Sequence, residues 1–581
     1  MARSRPRSPW WLVVGQLRPE GRRLGVVAAV LLVATVLPLA GPELMRAFVD
    51  GAIAGRPTGH LVTLAAAYLG VAATSQAVAV VSTYQASGVA WRTSNRLREL
   101  VAAHALRLDM TFHARHSPGE MIERTDGDLL GLSEFLSGFV AQAVGGALLL
   151  LGALAVVWWT NPLAGAALTG LVVAGAVLTL RAQRRVVPIA AAVRQATAEM
   201  FGGIEEALVA TDEVRANGAG GHIVNRFHRD AARVYRSDLQ WQVRGGVVLA
   251  GTNLLFGLGT AFIVGVGVIL LRHGAMTVGT VVLLLQYSML VRSPVEAIVG
   301  QAKQLHEAGA AAARVGSLLA ERTALPEPAR AAPLPAGPLG LHYEGVSFAY
   351  GDDPPVIHDL DLEIPAGQSL GLVGRTGSGK TTLGRLALRL YDPTGGAVRL
   401  GGVDLRQIDT AELRRRVRVV TQDVHLFAAS VRDNLSLFDD SVSDADALAA
   451  LDAVGLGPWL AGLPGGLATE LGQVGIGLSA GEAQLLSFAR VLLADPDLVI
   501  LDEPSSRLDP GTEALVERAG ATLLAGRTTL VIAHRLATLV DVDHVAVLEG
   551  GRLTEQGPRA EMASDPDSRF YRLLVASGAP A

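Results

Sequence analysis

The 581-residue chain has no cysteine, two lysines (Lys303 and Lys380) among fifty basic residues, and only 5% aromatics. The absent cysteines exclude disulfides, thiol nucleophiles and cysteine-ligated metals together. Charge is scarce at 18% of residues; the net value of −4 says nothing about nucleic acid, and no basic or aromatic-interleaved patch suggests it. No group of His, Asp and Glu has metal-ligand spacing. What fills the space is apolar. Half the residues are hydrophobic and mean hydropathy is +0.36, far toward the membrane for so long a chain. The length allows two or three domains.

Apolar runs fall at about 24–40, 61–82, 136–158, 163–180, 246–271 and 278–300. A span needs roughly 20 residues, so six spans are expected; the fourth run is short and the sixth is interrupted by Gln286. Arg3, Arg5, Arg7, Arg18, Arg22 and Arg23 precede the first run, which ends in the small residues Ala40 and Gly41. A cleaved signal peptide has that form, but five more runs follow, which favours an uncleaved first span. Trp10 and Trp11 suit a short interfacial helix before it. Arginines crowd the connections between spans two and three (Arg92, Arg96, Arg98, Arg107, Arg115, Arg124) and between four and five (ten, from Arg181 to Arg244), whereas the other connections hold Arg56 and Arg272 at most. Both termini and both long connections are therefore expected in the cytoplasm, with helices running beyond the bilayer. Glu43, Arg46 and Asp50 share one helix face, read either as a self-neutralised charge group or as part of a cargo path. Gln76, Gln142, Asn253 and Gln286 read as hydrogen bonds between helices.

From Glu321 the composition changes. Pro326, Pro328, Pro333, Pro335 and Pro338 mark a stiff, extended linker. Beyond it, strand and helix patterns alternate and no run is long enough to span. The expected divisions are an N-terminal segment 1–23, a six-helix membrane domain 24–320, a linker 321–340 and an α/β domain 341–575.

In that last domain Gly374, Gly379, Lys380 and Thr381 have the spacing G-x-x-x-x-G-K-[ST], between a buried strand at 369–373 and a helix at 383–390. Glycines let backbone N–H groups turn inward around a phosphate, which side chains would obstruct. Arg375, Thr376, Gly377, Ser378 and Thr382 complete this loop. Lys380 puts a point charge on β/γ oxygens and Thr381 offers a hydroxyl to Mg²⁺. A chance lysine is a poor explanation in a chain with two. Downstream, the apolar strand from Leu498 ends in Asp502 and Glu503. The first suits Mg²⁺ and the second suits an attacking water. Between them, Ser479 opens a helix with Glu482 three residues on, which reads as an anion-binding N-terminus, as a capping box, or as both.

These ordered motifs resemble the nucleotide-binding domain of ABC transporters, and nearly the whole chain resembles an exporter-type half transporter: six membrane helices followed by an α/β P-loop NTPase domain. The resemblance implies ATP and Mg²⁺ as cofactors, and a second half transporter and the lipid bilayer as partners. It implies that Tyr350 stacks on adenine and that Gln422 meets Mg²⁺ and the attacking water. It further implies that Ser479, Ala480, Gly481 and Glu482 form the signature acting on a partner's ATP, that Asp509 communicates across the dimer, and that His534 contacts the γ-phosphate. The segment 112–124 resembles the first intracellular loop, with its coupling helix expected near 125–132; 206–217 resembles the second. His425 has no such support and is taken as structural.

The signature departs from the family's Leu-Ser-Gly-Gly-Gln at Ala480 and Glu482. An intact site of its own beside an unorthodox signature for its partner is the pattern of the hydrolytic half of a heterodimer, favoured here over a homodimer. ATP-driven export is the expected function, at a bacterial inner membrane; the arginine- and alanine-rich composition suits a GC-rich genome. Import of a siderophore and an ATP-binding regulatory subunit are the alternatives, and a gated channel is disfavoured because no continuous polar lining is evident. The sequence does not choose a cargo.

Overall fold

The computed structural model describes residues 10–472, 477–502, 510–533 and 535–577. The chain divides into two compact units, one of residues 1–106 and 118–321, the other of 107–117 and 322–581.

Among its described residues the first unit holds six apolar helical stretches long enough to span: Trp10–Ile53, Thr58–Arg107, Pro118–Thr160, Pro162–Val209, Gly220–Arg272 and Val278–Ala320. The fourth and sixth runs belong to full-length helices despite the short run and Gln286. The helix Thr58–Arg107 has 50 residues, which at ~1.5 Å each is roughly 75 Å, more than twice a bilayer's apolar core. Helix starts carry their expected chemistry. Asn161 accepts from Leu163 N and Ala164 N ahead of Pro162, and Thr277 accepts from Thr280 N. Spans four and five meet at glycines: a Cβ on Gly175 would lie 2.6 Å from the Phe256 ring, and one on Gly259 would collide with Leu171. Around that contact Val157, Leu168, Ile263, Leu284 and Tyr287 form a buried cluster. The third stretch is interrupted by π turns at Glu123–Gly127 and Phe139–Val144. The sixth lacks one helical hydrogen bond at Leu290, four residues before Pro294.

Asp50 of the first-span charge group has partners at the start of the sixth span. Its carboxylate accepts from Gly279 N at 2.8 Å and from the Thr277 hydroxyl at 2.7 Å, while Arg46 sits 3.9 Å away. It caps the start of the sixth span, a structural task. Gln142 accepts from Gln301 Nε2 at 3.2 Å, an interhelical bond as expected.

The second unit is built on two sheets. One is antiparallel, in the order β2-β1-β4-β5: Ile357–Ile364, Leu341–Phe348, Gly395–Leu400 and Val403–Asp404. The other has the order β10-β9-β3-β8-β7-β6: Arg552–Pro558, His544–Glu549, Ser369–Val373, Thr528–Ile532, Leu498–Asp502 and Val417–Val420. All its neighbours pair in parallel except β10 with β9. β3 and β8 are buried along their whole length, as continuous apolar strands covered on both faces must be. One core, with Leu341, Tyr343, Leu362 and Leu372, fills the space between the sheets; a second, with Leu486, Phe488, Leu501 and Val531, lies under the helices.

The short helix expected near 125–132 is corrected. Residues 128–138 are one regular stretch of the third span, with buried Asp128 in a bidentate pair with Arg314. The short helix is Met110–Arg115, and it belongs to the second unit. Asp109 makes it. One carboxylate oxygen accepts from Thr111 N (2.8 Å) and Phe112 N (3.2 Å); the other takes the Thr323 hydroxyl (3.1 Å) and Ala324 N at the start of the linker. The other loop region ends in the helix Thr211–Ala216. The linker has neither helix nor strand, and Arg389 and Arg416 bond the Pro326 and Pro335 carbonyls at 3.0 and 2.8 Å.

Candidate nucleotide site

The carboxyl ends of parallel strands form one edge, the place where open α/β sheets receive ligands. β3 delivers Gly374, β7 delivers Asp502, and the chain beyond β6 delivers Gln422. β8 lies between β3 and β7 in the sheet. Sequence spacing therefore predicted a set of residues that topology does bring to one edge.

The loop after β3 requires its glycines. Gly377 and Gly379 have φ of 83° and 104°, a region costly for other residues. A Cβ on Gly374 would strike the Leu548 carbonyl, and one on Gly379 would lie 2.5 Å from Ile357 Cδ1. Lys380 is 4% exposed, and its ammonium donates to the Gly374 and Arg375 carbonyls at 2.7 and 3.3 Å. That closes the loop over the helix Lys380–Ala387, whose N-cap, Gly379, contributes no side chain to its N–H groups. The Ser378 hydroxyl is buried and makes no hydrogen bond among the described residues. A backbone cradle, a buried cation and an orphaned hydroxyl fit a phosphate. Thr381, exposed on the first turn, and Asp502, half-buried, offer the hard oxygen donors that Mg²⁺ takes.

Tyr350 is drawn to this helix. Its hydroxyl bonds that of Thr382 at 3.1 Å and receives Arg385 Nη1 at 3.3 Å. Its ring stands edge-on to Phe348 and to Tyr391, with centroids 4.8 and 5.2 Å apart. Thr382 is thus occupied with Tyr350, leaving Thr381 as the exposed hydroxyl. The sequence reading missed Phe348 and Tyr391 as the walls that fix Tyr350. An aromatic two residues before Tyr350 was the available signal.

Gln422 is exposed on a segment strapped to the signature helix, Ala480–Ala494. Gln484 Nε2 donates to the Thr421 carbonyl at 3.4 Å; Arg490 donates to the His425 carbonyl at 3.2 Å and to the Asn434 carbonyl at 2.6 Å. Burial pushes the Arg490 guanidinium's pKa down, yet an arginine keeps its charge. His425 contributes its carbonyl here and packs its ring on Phe427, a structural role. Asn434, fully buried, was not legible in advance.

At the signature, Ser479 is the N-cap. Its hydroxyl accepts from Glu482 N at 3.2 Å, while Ser479 N and Oγ both donate to Glu482 Oε2 at 2.8 Å. The capping box is complete. Gly481 is buried and Ala480 exposed. Glu503, Asp509 and His534 lie outside the described residues.

Comparison with known proteins agrees with this geometry. The ABC transporter transmembrane region family matches residues 24–295, and the ABC transporter family matches 357–506. A fatty acid ABC transporter ATP-binding/permease protein of Mycobacterium bovis is 32% identical over 81% of this chain and 74% of its own length. An ATP-dependent lipid A-core flippase of Chromobacterium violaceum is 30% identical over 90% of each. A bacterial Atm1-family ABC exporter, solved with ATP bound, shares the fold with a TM-score of 0.82 at 24% identity, covering 96% of this chain and 99% of that one.

Proposed function

Because the chain belongs to the ABC transporters, with an exporter's membrane region and an ATPase in one polypeptide, we propose that it is the hydrolytic half of a heterodimeric exporter of an amphipathic lipid-like molecule. ATP-driven export as part of a dimer in a bacterial inner membrane is the family's activity. The partner and the cargo are the new parts of the reading. The cargo class is supported by the fatty acid and lipid A-core names of two relatives.

One observation carries the heterodimer. Glu482 takes both donors of Ser479, the N–H and the hydroxyl, and sets a carboxylate beside the place where the signature would meet a partner's phosphates. Like charges repel there. An orthodox signature from a different partner would complete this chain's own site, and the weaker site would form around the partner's nucleotide.

In that site the loop 374–382 holds the phosphates, Lys380 sits on the β/γ oxygens, and Tyr350 stacks on adenine. Thr381, Asp502 and Gln422 would hold Mg²⁺, which would supply charge neutralisation on the phosphate oxygens. Glu503 takes a proton from the attacking water, His534 contacts the γ-phosphate, and Asp509 communicates across the dimer. The arginine-rich connections and both termini face the cytoplasm, with 1–23 leading into a membrane domain 24–320, a linker 321–340 and an ATPase domain 341–575.

The test is ATP hydrolysis by this chain alone in lipid, with Glu503→Gln as the control. A folded chain with little hydrolysis, restored when a second half transporter with an orthodox signature is added, is expected. Full activity alone, abolished by Glu503→Gln, would instead establish a homodimer.

A further inference from the structure

The sixth span carries an ion pair inside its apolar run. Arg292 Nε donates to Glu296 Oε1 at 3.0 Å, four residues on, and its Nη2 donates to Asn253 Oδ1 of span five. The apolar runs of these spans begin or end near 246 and 300, with Asn253 seven and Arg292 eight residues inside those limits. At ~1.5 Å per residue that is about 10–12 Å into the apolar layer. The helix loses one hydrogen bond at this level: Val291, between Val278–Leu290 and Arg292–Ala320, keeps helical dihedrals, but Pro294 has no N–H for the Leu290 carbonyl. Irregular backbone and charge at membrane depth persist where they border water or protein.

Arg292 and Glu296 are each 37% exposed, and Asn253 and Ser293 are exposed beside them. A half-exposed ion pair is not stable against acyl chains. Such a pair calls for water or protein on this face. Leu254 and Leu258, 63% and 62% exposed on span five, lie beside it.

We propose that Arg292, Glu296 and Asn253 are the headgroup-recognition centre of the transport path, and that its ligand is a zwitterionic amphiphile carrying an ammonium and a phosphate. The inference rests on the transporter reading and names the cargo's chemistry. The pair is neutral as it stands. A ligand with an anion alone would engage Arg292 and leave Glu296 without its partner; a cation alone would do the same to Arg292. Water beside a pair 37% exposed screens that cost without removing it. A zwitterion exchanges one internal pair for two external ones. Its phosphate takes the guanidinium fork, its ammonium takes Glu296, and Asn253 keeps the guanidinium in place.

The experiment is native mass spectrometry of the full chain in detergent, with lysophosphatidylethanolamine, lysophosphatidylglycerol of the same tail, and an alkyltrimethylammonium. Preferential retention of the ethanolamine lipid by about tenfold is expected. Arg292→Gln and Glu296→Gln should each remove that preference, and the swapped pair R292E/E296R should recover it. Equal retention of the glycerol lipid, or a preference untouched by Arg292→Gln, would overturn the proposal. Ser293→Cys, the sole thiol in a chain with no cysteine, supplies a second measurement free of folding defects in the pair. A water-soluble maleimide should label it; resistance to labelling would mean lipid or a partner chain seals this face, and would overturn the proposal too. Hydrolysis is read on the same samples. An inactive wild type, even with an orthodox partner added, would count against the transporter reading, while headgroup preference is judged by the binding data alone.

Discussion

Two helix N-termini in the ATPase unit, both proposed above to meet phosphate, are finished in different ways. The helix at Lys380 is preceded by Gly379, which supplies no side-chain acceptor, so its first N–H groups are left to a ligand. The helix at Ala480 is preceded by Ser479, whose hydroxyl and amide are both held by Glu482. The first terminus has no side-chain cap; at the second, Ser479 caps Glu482 N and Glu482 holds both donors of Ser479. Stability and ligand capacity trade against each other at these ends. A capped terminus contributes about 1 kcal/mol to the fold, and an uncapped one keeps its donors for function.

The largest break in this comparison comes from the uncapped end. Lys380→Ala removes the buried cation that closes the loop onto the Gly374 and Arg375 carbonyls. Hydrolysis should fall by roughly two orders of magnitude or more, measured as phosphate release with the best available partner, while the helices remain folded by circular dichroism. Activity within a few-fold of wild type would mean that the loop's amides alone hold the phosphates. At the capped end the expected effect is smaller and of opposite sign. Glu482→Gln keeps an acceptor for Ser479 and removes the charge, so hydrolysis at the site this signature completes should rise several-fold, up to about tenfold. Thermal stability should change little, since a glutamine also forms the box. No gain in hydrolysis would show that the carboxylate swings clear of the nucleotide, and the case for a heterodimer would lose its main support.

The difference between the two ends also explains what could be read from sequence. The phosphate loop was legible because its constraint is local: glycines at φ of 83° and 104° and a lysine fixed in number and spacing. The capping box was legible for the same reason, as Ser479 and Glu482 are three residues apart. Strands β3 and β7 were legible as apolar runs beside the motifs at Gly374 and Asp502. Non-local partners were not. Tyr391 beside Tyr350, Arg490 on the chain near Asn434, and Asp50 on the start of span six each depend on how distant segments fold back. Arg292 lay in plain view inside an apolar run, but its partner Asn253 is 39 residues away. The short helix was misplaced by more than a dozen residues because its defining cap, Asp109, looks like any acidic residue in a charged connection.

Asp109 supplies a third helix start, and the smallest of the expected effects. Its carboxylate caps Met110–Arg115 with one oxygen and holds Thr323 and Ala324 with the other. Burial alone would raise its pKa, but the hydrogen bonds from Ala324 N, Phe112 N, Thr111 and Thr323 outweigh burial and leave the pKa below the ordinary carboxylate value. A folded pKa below the unfolded one means the stabilisation is fully present above the unfolded value and is lost as pH falls through the folded one. Hydrogen exchange at Thr111, Phe112 and Ala324 should therefore stay slow at neutral pH, once corrected for the intrinsic pH dependence. Protection should fall below about pH 4, where carboxylates ordinarily take up protons. Asp109→Asn sharpens the test. An asparagine caps a helix about as well as an aspartate, but its amide turns a donor toward the donors of Thr323 and Ala324. The helix amides should stay protected while Ala324 N loses about 1 kcal/mol of protection, and the acid dependence at both places should disappear. Equal loss at both ends would mean that the helix and the linker open as one unit, so that the cap and the strap are a single device.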